Sequence, residues 1–304
     1  MRLNSFEDLA RAVKASAVKS RVAVVAANDA HTVESVVIAQ REGLIEAILI
    51  GDEALIKGHL AEQGAREADF RIKPAPDIPT SLALAVEAVH SGEANVLMKG
   101  KLETGDFMRA ILNRENDLRS GELLSVAGFY ELERYHKLLA VSDQAINTYP
   151  DLDAKKAILQ NAVGLLCAIG LVQPKVAVLA AVEKLNPKMK ETVDADALRR
   201  MNVEGEIRDC IVDGPLSFDI ATSAEAARLK GYESEVAGDA DLLIVPDLVC
   251  GNVLVKALTG FAGATTAGTV LGAKVPVVLV PRSAEASDKF YSIALAAYTA
   301  LGRA

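Results

Sequence analysis

Short apolar runs, most of them continuous, alternate along this chain with segments patterned for helix, and that alternation restricts the fold. The runs are VAVVAA (22–27), EAILI (46–50), ANVLM (94–98), LLSVAGFY (123–130), KLLAVSD (137–143), KVAVLAA (175–181), CIVDG (210–214), DLLIVPD (241–247) and VPVVLVP (275–281). A strand with one wet face alternates apolar and polar residues. A continuous run is the signature of a strand covered on both faces, as in a largely parallel sheet between helices. Helical spacing appears at 31–41, 79–91, 152–169 (with Gly170 as the stop) and 284–301. An α/β fold with crossover connections follows. INTYPDLD (146–153), with Asn147, Pro150 and two aspartates, reads as a linker between domains.

Composition narrows the function. The chain has 304 residues, 51% of them hydrophobic, enough for two domains with buried cores. A formal net charge of -8 and 4% aromatic residues argue against a nucleic-acid partner. They leave room for a small phosphate ligand held by local cations and backbone amides. Cys167, Cys210 and Cys250 are widely spread and form no CxxC pair, which reads as free thiols in a reducing compartment. No apolar run has the length of a membrane span, and the start lacks a signal-like core, so a cytoplasmic protein is expected. P-loop, GxGxxG, HExxH, GxSxG and zinc-spacing motifs are absent. The histidines His31, His59, His90 and His136 read as surface or helix-end residues.

Four strand ends carry loops suited to anions. LMKGKLETGDFMRAIL (97–112) places Lys99, Gly100, Lys101 and Thr104 before a helix bearing Arg109; the alternative is a solvated basic loop. CIVDGPLSFDIA (210–221) offers Asp213 and Gly214 in a tight turn, with Asp213 and Asp219 too few for a metal site. LLIVPDLVCGNVLVKAL (242–258) puts Gly251 and Asn252 at an expected helix start, which Asn252 would equally well simply cap. VVLVPRSAEASDKFYSIALA (277–296) offers Arg282, whose fork matches phosphate, and Asp288 beyond it; an ordinary surface pair is the alternative. Together these loops describe a phosphate-binding cleft without naming a reaction.

The runs MKGKLETGDFMRAILN, VAVLAAVEKLNP, CIVDGPLSFD, VAGDADLLIVPDLVCGN and VPVVLVPRSAEASDKFYSIALA resemble the phosphate acetyl/butyryltransferase family, the butyryl branch most closely. The resemblance runs from about residue 15 to the end. It implies a fold similar to isocitrate and isopropylmalate dehydrogenases: two α/β domains, 1–149 plus 283–304 and 150–282, with a cleft between them. It implies acyl-CoA, acyl phosphate and inorganic phosphate as substrates, coenzyme A being a substrate rather than a resident cofactor. No metal is implied, and a homodimer or an assembly of dimers is. By this resemblance Asp288 takes the thiol proton, and Arg282 and Arg109 hold the phosphoryl group. Lys99, Lys101, Thr104, Asp213, Gly214, Gly251, Asn252 and Ser283 would serve binding. One departure stands out. The family's serine before the arginine is replaced here by Pro281, and Ser283 is its candidate substitute. A nicotinamide dehydrogenase on the related fold lacks its cofactor fingerprint here. A binding protein without turnover finds its one support in Pro281.

Overall fold

The continuous apolar runs become strands and the periodic segments become the helices that cover them. A computed structural model describes residues 4–121, 123–280 and 284–302. In chain order the elements are α1 (Phe6–Ala15), β1 (Ser20–Val25), α2 (Ala30–Arg41), β2 (Ile45–Gly51), α3 (Glu53–Glu62), β3 (Arg71–Pro74), α4 (Ile78–His90), β4 (Val96–Lys99) and α5 (Thr104–Leu112). There follow β5 (Ser125–Glu131), β6 (Leu139–Ser142), α6 (Leu152–Ala168), β7 (Lys175–Leu179), α7 (Lys190–Val203), β8 (Ile211–Leu216), α8 (Phe218–Thr222), α9 (Ala224–Leu229), β9 (Leu242–Ile244) and α10 (Leu248–Gly260). Strands β10 (Thr265–Leu271) and β11 (Val277–Val278) and helix α11 (Ala286–Leu301) complete the series.

The chain divides into two compact units, one of Phe6–Glu122 with Ala267–Ala304 and one of Met1–Ser5 with Leu123–Thr266. The first is discontinuous because β11 pairs in parallel with β4 and α11 packs on α1 and α2. Phe6 and Tyr291 stack at 4.9 Å where α1 meets α11. The divisions expected at 149/150 and 282/283 thus move to 122/123 and 266/267. The reason is strand pairing: β5 pairs antiparallel with β6, and β6 parallel with β9, which commits both to the central unit. The expected linker is therefore a loop inside that unit. Its start is pinned by the buried Asp143 carboxylate, which accepts from the backbone N–H groups of Ala145 (2.9 Å), Ile146 (3.2 Å) and Asn147 (3.1 Å).

In the first unit the strands run β3-β2-β1-β4-β11-β10, parallel except that β10 opposes β11. Val22, Val24, Val25, Ile48, Leu49, Ile50, Val96 and Leu97 are buried, as strands covered on both faces require. In the central unit the order is β5-β6-β9-β7-β8. There Asp213-Gly214-Pro215 does not turn, as the sequence implied; it lies within β8. β8 is an edge strand, and its register against β7 shifts between Ala177 and Leu179, which is where a proline is tolerated.

Helices α6 and α7 share a buried ion pair: Lys155 Nζ lies 2.7 Å from Asp194 Oδ2, and Lys190 also reaches that carboxylate. Burial pushes the Asp194 carboxyl up, but hydrogen bonds from Lys155 and Lys190 outweigh it and hold it below the ordinary carboxylate range. A depressed folded pKa stabilises the fold above the unfolded value of about 3.9 and ceases to do so as pH falls through the folded value. Asp194→Ala removes the carboxylate and leaves buried Lys155 facing none in its place. Urea denaturation at pH 7 is expected to show a loss of about 3–5 kcal/mol, and the stability of the variant should fall less steeply than that of the parent on acidification below pH 4.

Candidate active site

In an open parallel sheet, ligands bind beyond the carboxyl ends of the strands, where neighbouring connections part to opposite sides. In the first unit that place is the end of β1 beside the end of β4. The chain leaves β1 through α2 toward β2 on one side, while β4 lies on the other. After β1 the backbone turns sharply, with Ala26 at φ +52° and its N–H bonded to Ser81 Oγ at 2.7 Å. The turn delivers Asp29, which caps α2 by accepting from Thr32 N (2.9 Å) and Thr32 Oγ1 (2.6 Å).

The loop after β4 crosses directly over this turn. Gly100 N donates to Val25 O at 2.9 Å, and Lys101 N donates to Ala26 O at 2.8 Å. A Cβ on Gly100 would stand 2.4 Å from Ala26 O and 2.6 Å from Val25 O, so only glycine passes here. Beside the crossing lies a cavity of about 180 Å³, lined by Asp29, His31, Thr32, Met98, Lys99, Gly100, Lys101, Val280 and Lys289. Lys99 is buried at the end of β4, and its ammonium donates to Gly100 O (3.2 Å) and Leu102 O (3.1 Å). The positive end of α2 faces the same space, since Asp29, His31 and Thr32 belong to its first turn. Cationic side chains and a helix N-terminus around so small a space suit a phosphate.

Of the residues singled out from sequence, Lys99 and Lys101 meet in this cavity. Asp288 sits in the first turn of α11, half-buried and next to the cavity-lining Lys289. Thr104 opens α5 and is exposed, outside the cavity lining. Arg109 is exposed on α5 and pairs with Asp106 at 2.6 Å, one helical turn before it. Arg282 and Ser283, with Pro281, lie outside the described residues. Asp213, Gly214, Gly251 and Asn252 belong to the central unit. Asp213 Oδ1 accepts from Gly214 N at 2.8 Å and its Oδ2 from Tyr232 Oη at 3.1 Å. Gly214 and Gly251 are close-packing positions: an added Cβ would meet Val178 at 2.9 Å in one case and Val245 at 2.9 Å in the other.

One expectation needs correction. Helix α10 begins at Leu248, capped by Asp247, so Asn252 stands in its second turn and does not cap it. An Asp three residues before Cys250 wins because its carboxylate reaches the free Cys250 N–H at 2.8 Å. His31, read as a surface or helix-end residue, is both: it stands in the first turn of α2, largely exposed and 3.9 Å from Glu34, at the edge of the cavity. Asp219, already doubtful as a metal ligand, is held by Ser217 at 2.6 Å and Lys230 at 2.9 Å. Those bonds depress its carboxyl to about 2, Ser217 contributing most. No group of potential metal ligands occurs among the described residues, and no helix among them is long and apolar enough to cross a membrane.

Residues 77–297 match the family model described as phosphate acetyl/butaryl transferase, most of the chain and the whole strand-end loop from Lys99 to Lys101. The chain belongs to this family. It is 41% identical to the phosphate butyryltransferase of Clostridium acetobutylicum, the match covering 98% of this chain and 99% of the relative. It is 43% identical to the phosphate acetyltransferase of Thermotoga maritima, over 91% of this chain and 94% of that one. The crystal structure of a branched-chain phosphotransacylase from Enterococcus faecalis V583 superimposes with a TM-score of 0.82 at 31% identity, covering 92% of this chain and 99% of that one. The family is one of acyltransferases, and the α/β architecture read from the sequence agrees with it.

The cavity residues that sequence reasoning missed, Asp29, Thr32 and Lys289, come from the starts of two helices, α2 and α11, far apart in the chain. Thr32 and Asp29 had a local signal in the helix-capping pattern after an apolar run; Lys289 had none. Replacing Gly100 by Ala should force the β4 loop away from β1. A loss of about 1–3 kcal/mol in thermal or chemical denaturation is expected, together with a fall in phosphate-dependent acyl transfer larger than the stability loss explains.

Proposed function

We propose that this enzyme reversibly transfers a short acyl group, butyryl by preference, between coenzyme A and inorganic phosphate. The observation that carries the reading is the cation-lined cavity at the parting of β1 and β4, in a chain that matches the acyltransferase family across that loop. In one direction the thiol sulfur of coenzyme A attacks the acyl-phosphate carbonyl. The S–C bond forms, the C–O bond to phosphate breaks, and phosphate leaves with the bonding electron pair. In the other direction a phosphate oxygen attacks the thioester carbonyl and the thiolate departs. No acyl-enzyme is required, because the two substrates bring nucleophile and leaving group themselves.

The residue roles are those the family resemblance implies, and elementary chemistry supports them. A thiol with a pKa of about 8.5 is mostly protonated at neutral pH, so a base raises its reactivity. Asp288, at the start of α11 beside the cavity, is assigned that role. Lys99 and Lys101 hold the phosphoryl oxygens, with Arg282 and Arg109 as further cations. Fixed charges aimed at the departing phosphate stabilise the transition state more than the ground state. Placing both substrates against one site supplies the remaining advantage through orientation. Coenzyme A acts as a substrate, and no resident cofactor is part of the proposal. Cytoplasmic residence and a homodimer, or an assembly of dimers, complete it; light scattering on the eluted protein tests the assembly.

Thiol release from butyryl-CoA and acetyl-CoA, each with and without inorganic phosphate, tests the reaction directly. Phosphate-dependent release, faster with butyryl-CoA, is expected. Faster release from acetyl-CoA would move the enzyme to the acetyl branch, and binding without release would leave a non-catalytic relative. Asp288→Asn should lower kcat by roughly 10²- to 10⁴-fold, the usual span for loss of a general base, with a smaller change in KM for phosphate.

A further inference from the structure

Lys289 belongs to no motif, yet its surroundings set it apart. It lies on α11 immediately after Asp288, is half-buried, and lines the cavity with Lys99 and Lys101. Several lysines elsewhere in the same unit meet carboxylates: Lys57 meets Glu53 at 3.0 Å and Glu67 at 3.2 Å, Lys73 meets Glu93 at 2.5 Å, and Lys274 meets Asp117 at 2.6 Å. Among the described residues the Lys289 ammonium has neither an ion-pair nor a hydrogen-bond partner, and the same holds for Lys101. Asp29, the one carboxylate in the described lining, already accepts two hydrogen bonds from Thr32. The positive end of α2 adds to the same side of the balance. Half-burying an ammonium without a partner is unfavourable, and Lys289 is so placed beside the buried Lys99 and the exposed Lys101, which makes the cavity complementary to a multiply charged anion.

Size selects among anions. About 180 Å³ is well below the volume of a pocket for a nucleotide-sized molecule. It admits a phosphate group with a short attached carbonyl, and the apolar Met98 and Val280 in the same wall suit the carbon side of such a group. We propose that Lys289, together with Lys101, binds the phosphoryl group of inorganic phosphate in one direction and of acyl phosphate in the other. Lys289 is then a substrate-binding residue of the transfer. This inference rests on the acyl-transfer reading above.

The test compares Lys289→Ala, Lys289→Gln and Lys289→Arg with the parent enzyme, and with Lys256→Ala, an exposed lysine on α10, as control. Initial rates of thiol release are measured while phosphate and butyryl-CoA are varied separately. A second readout is the rise in thermal midpoint caused by inorganic phosphate alone. For Lys289→Ala and Lys289→Gln, KM for phosphate should rise roughly ten- to a hundredfold, the size of a lost charge-assisted hydrogen bond. KM for butyryl-CoA should stay within about twofold, the phosphate-induced thermal shift should shrink, and Lys289→Arg should recover part of both. A rise in KM for butyryl-CoA with phosphate unaffected would overturn the proposal and assign Lys289 to the phosphates of coenzyme A. Unchanged constants for both substrates would overturn it outright. Should the parent enzyme release no thiol, the acyl-transfer reading fails by itself; a phosphate-induced thermal shift lost in Lys289→Gln would still support anion binding at this cavity.

Discussion

The crossing of two strand-end loops, Gly100-Lys101 over Val25-Ala26, is the constraint on which the rest of the first unit's site depends. Two backbone hydrogen bonds hold the loops at a distance that excludes even one methyl group. Parallel register between β1 and β4 brings Val25 opposite Lys99 and so makes the crossing possible. From it follow the position of the α2 cap on one side and of the lysine-bearing loop on the other. A cavity that gathers charge needs such rigid support, because an ammonium on a flexible loop would find a carboxylate or water instead.

Charge is managed differently in the two units. In the central unit, several cations are matched by carboxylates: the buried Lys155 and the exposed Lys190 with Asp194, the buried Lys137 with Asp239 and Asp241, the exposed Lys230 with Glu183 and Asp219. These groups tie strand ends and helices together, and the depressed carboxyl pKa values of Glu183, Asp194, Asp219 and Asp239 mark them as structural. At the cavity of the first unit, Lys101 and Lys289 have no carboxylate partner among the described residues. The contrast separates charge that serves the fold from charge available to a ligand, in a chain whose overall charge is negative.

The family reaction asks little covalent chemistry of the protein. Coenzyme A supplies the nucleophile and phosphate the leaving group, so the absence of nucleophile motifs from the sequence is consistent with the mechanism. What the chain must provide is a proton acceptor, fixed positive charge and orientation. Asp288 and Lys289 stand next to each other at the start of α11, so one helix terminus can present both a base and a cation.

Much of the fold was legible in the sequence because burial on both faces leaves a continuous apolar signature, which β1, β2, β4, β7 and β9 all show. Lys99 and Lys101 were legible too, since a basic pair after a buried strand falls where open sheets bind ligands. Strand β10 was not, because its glycine- and threonine-rich sequence, TTAGTVL, carries no such run and takes its strand form from its neighbours. The division between units was misplaced for a related reason: whether β5 and β6 join one sheet half or the other depends on pairing with β9, a contact about a hundred residues away along the chain that no local pattern encodes. The same holds for Asp29, Thr32 and Lys289. Each has an ordinary local role, as cap, capped residue or helical lysine, and becomes part of a site only when three-dimensional packing sets the loops after β1 and β4 and the start of α11 around one space. Local chemistry, set by residue type and spacing, is what the sequence alone determined; long-range convergence, set by register and close backbone approach, was decided by the tertiary structure.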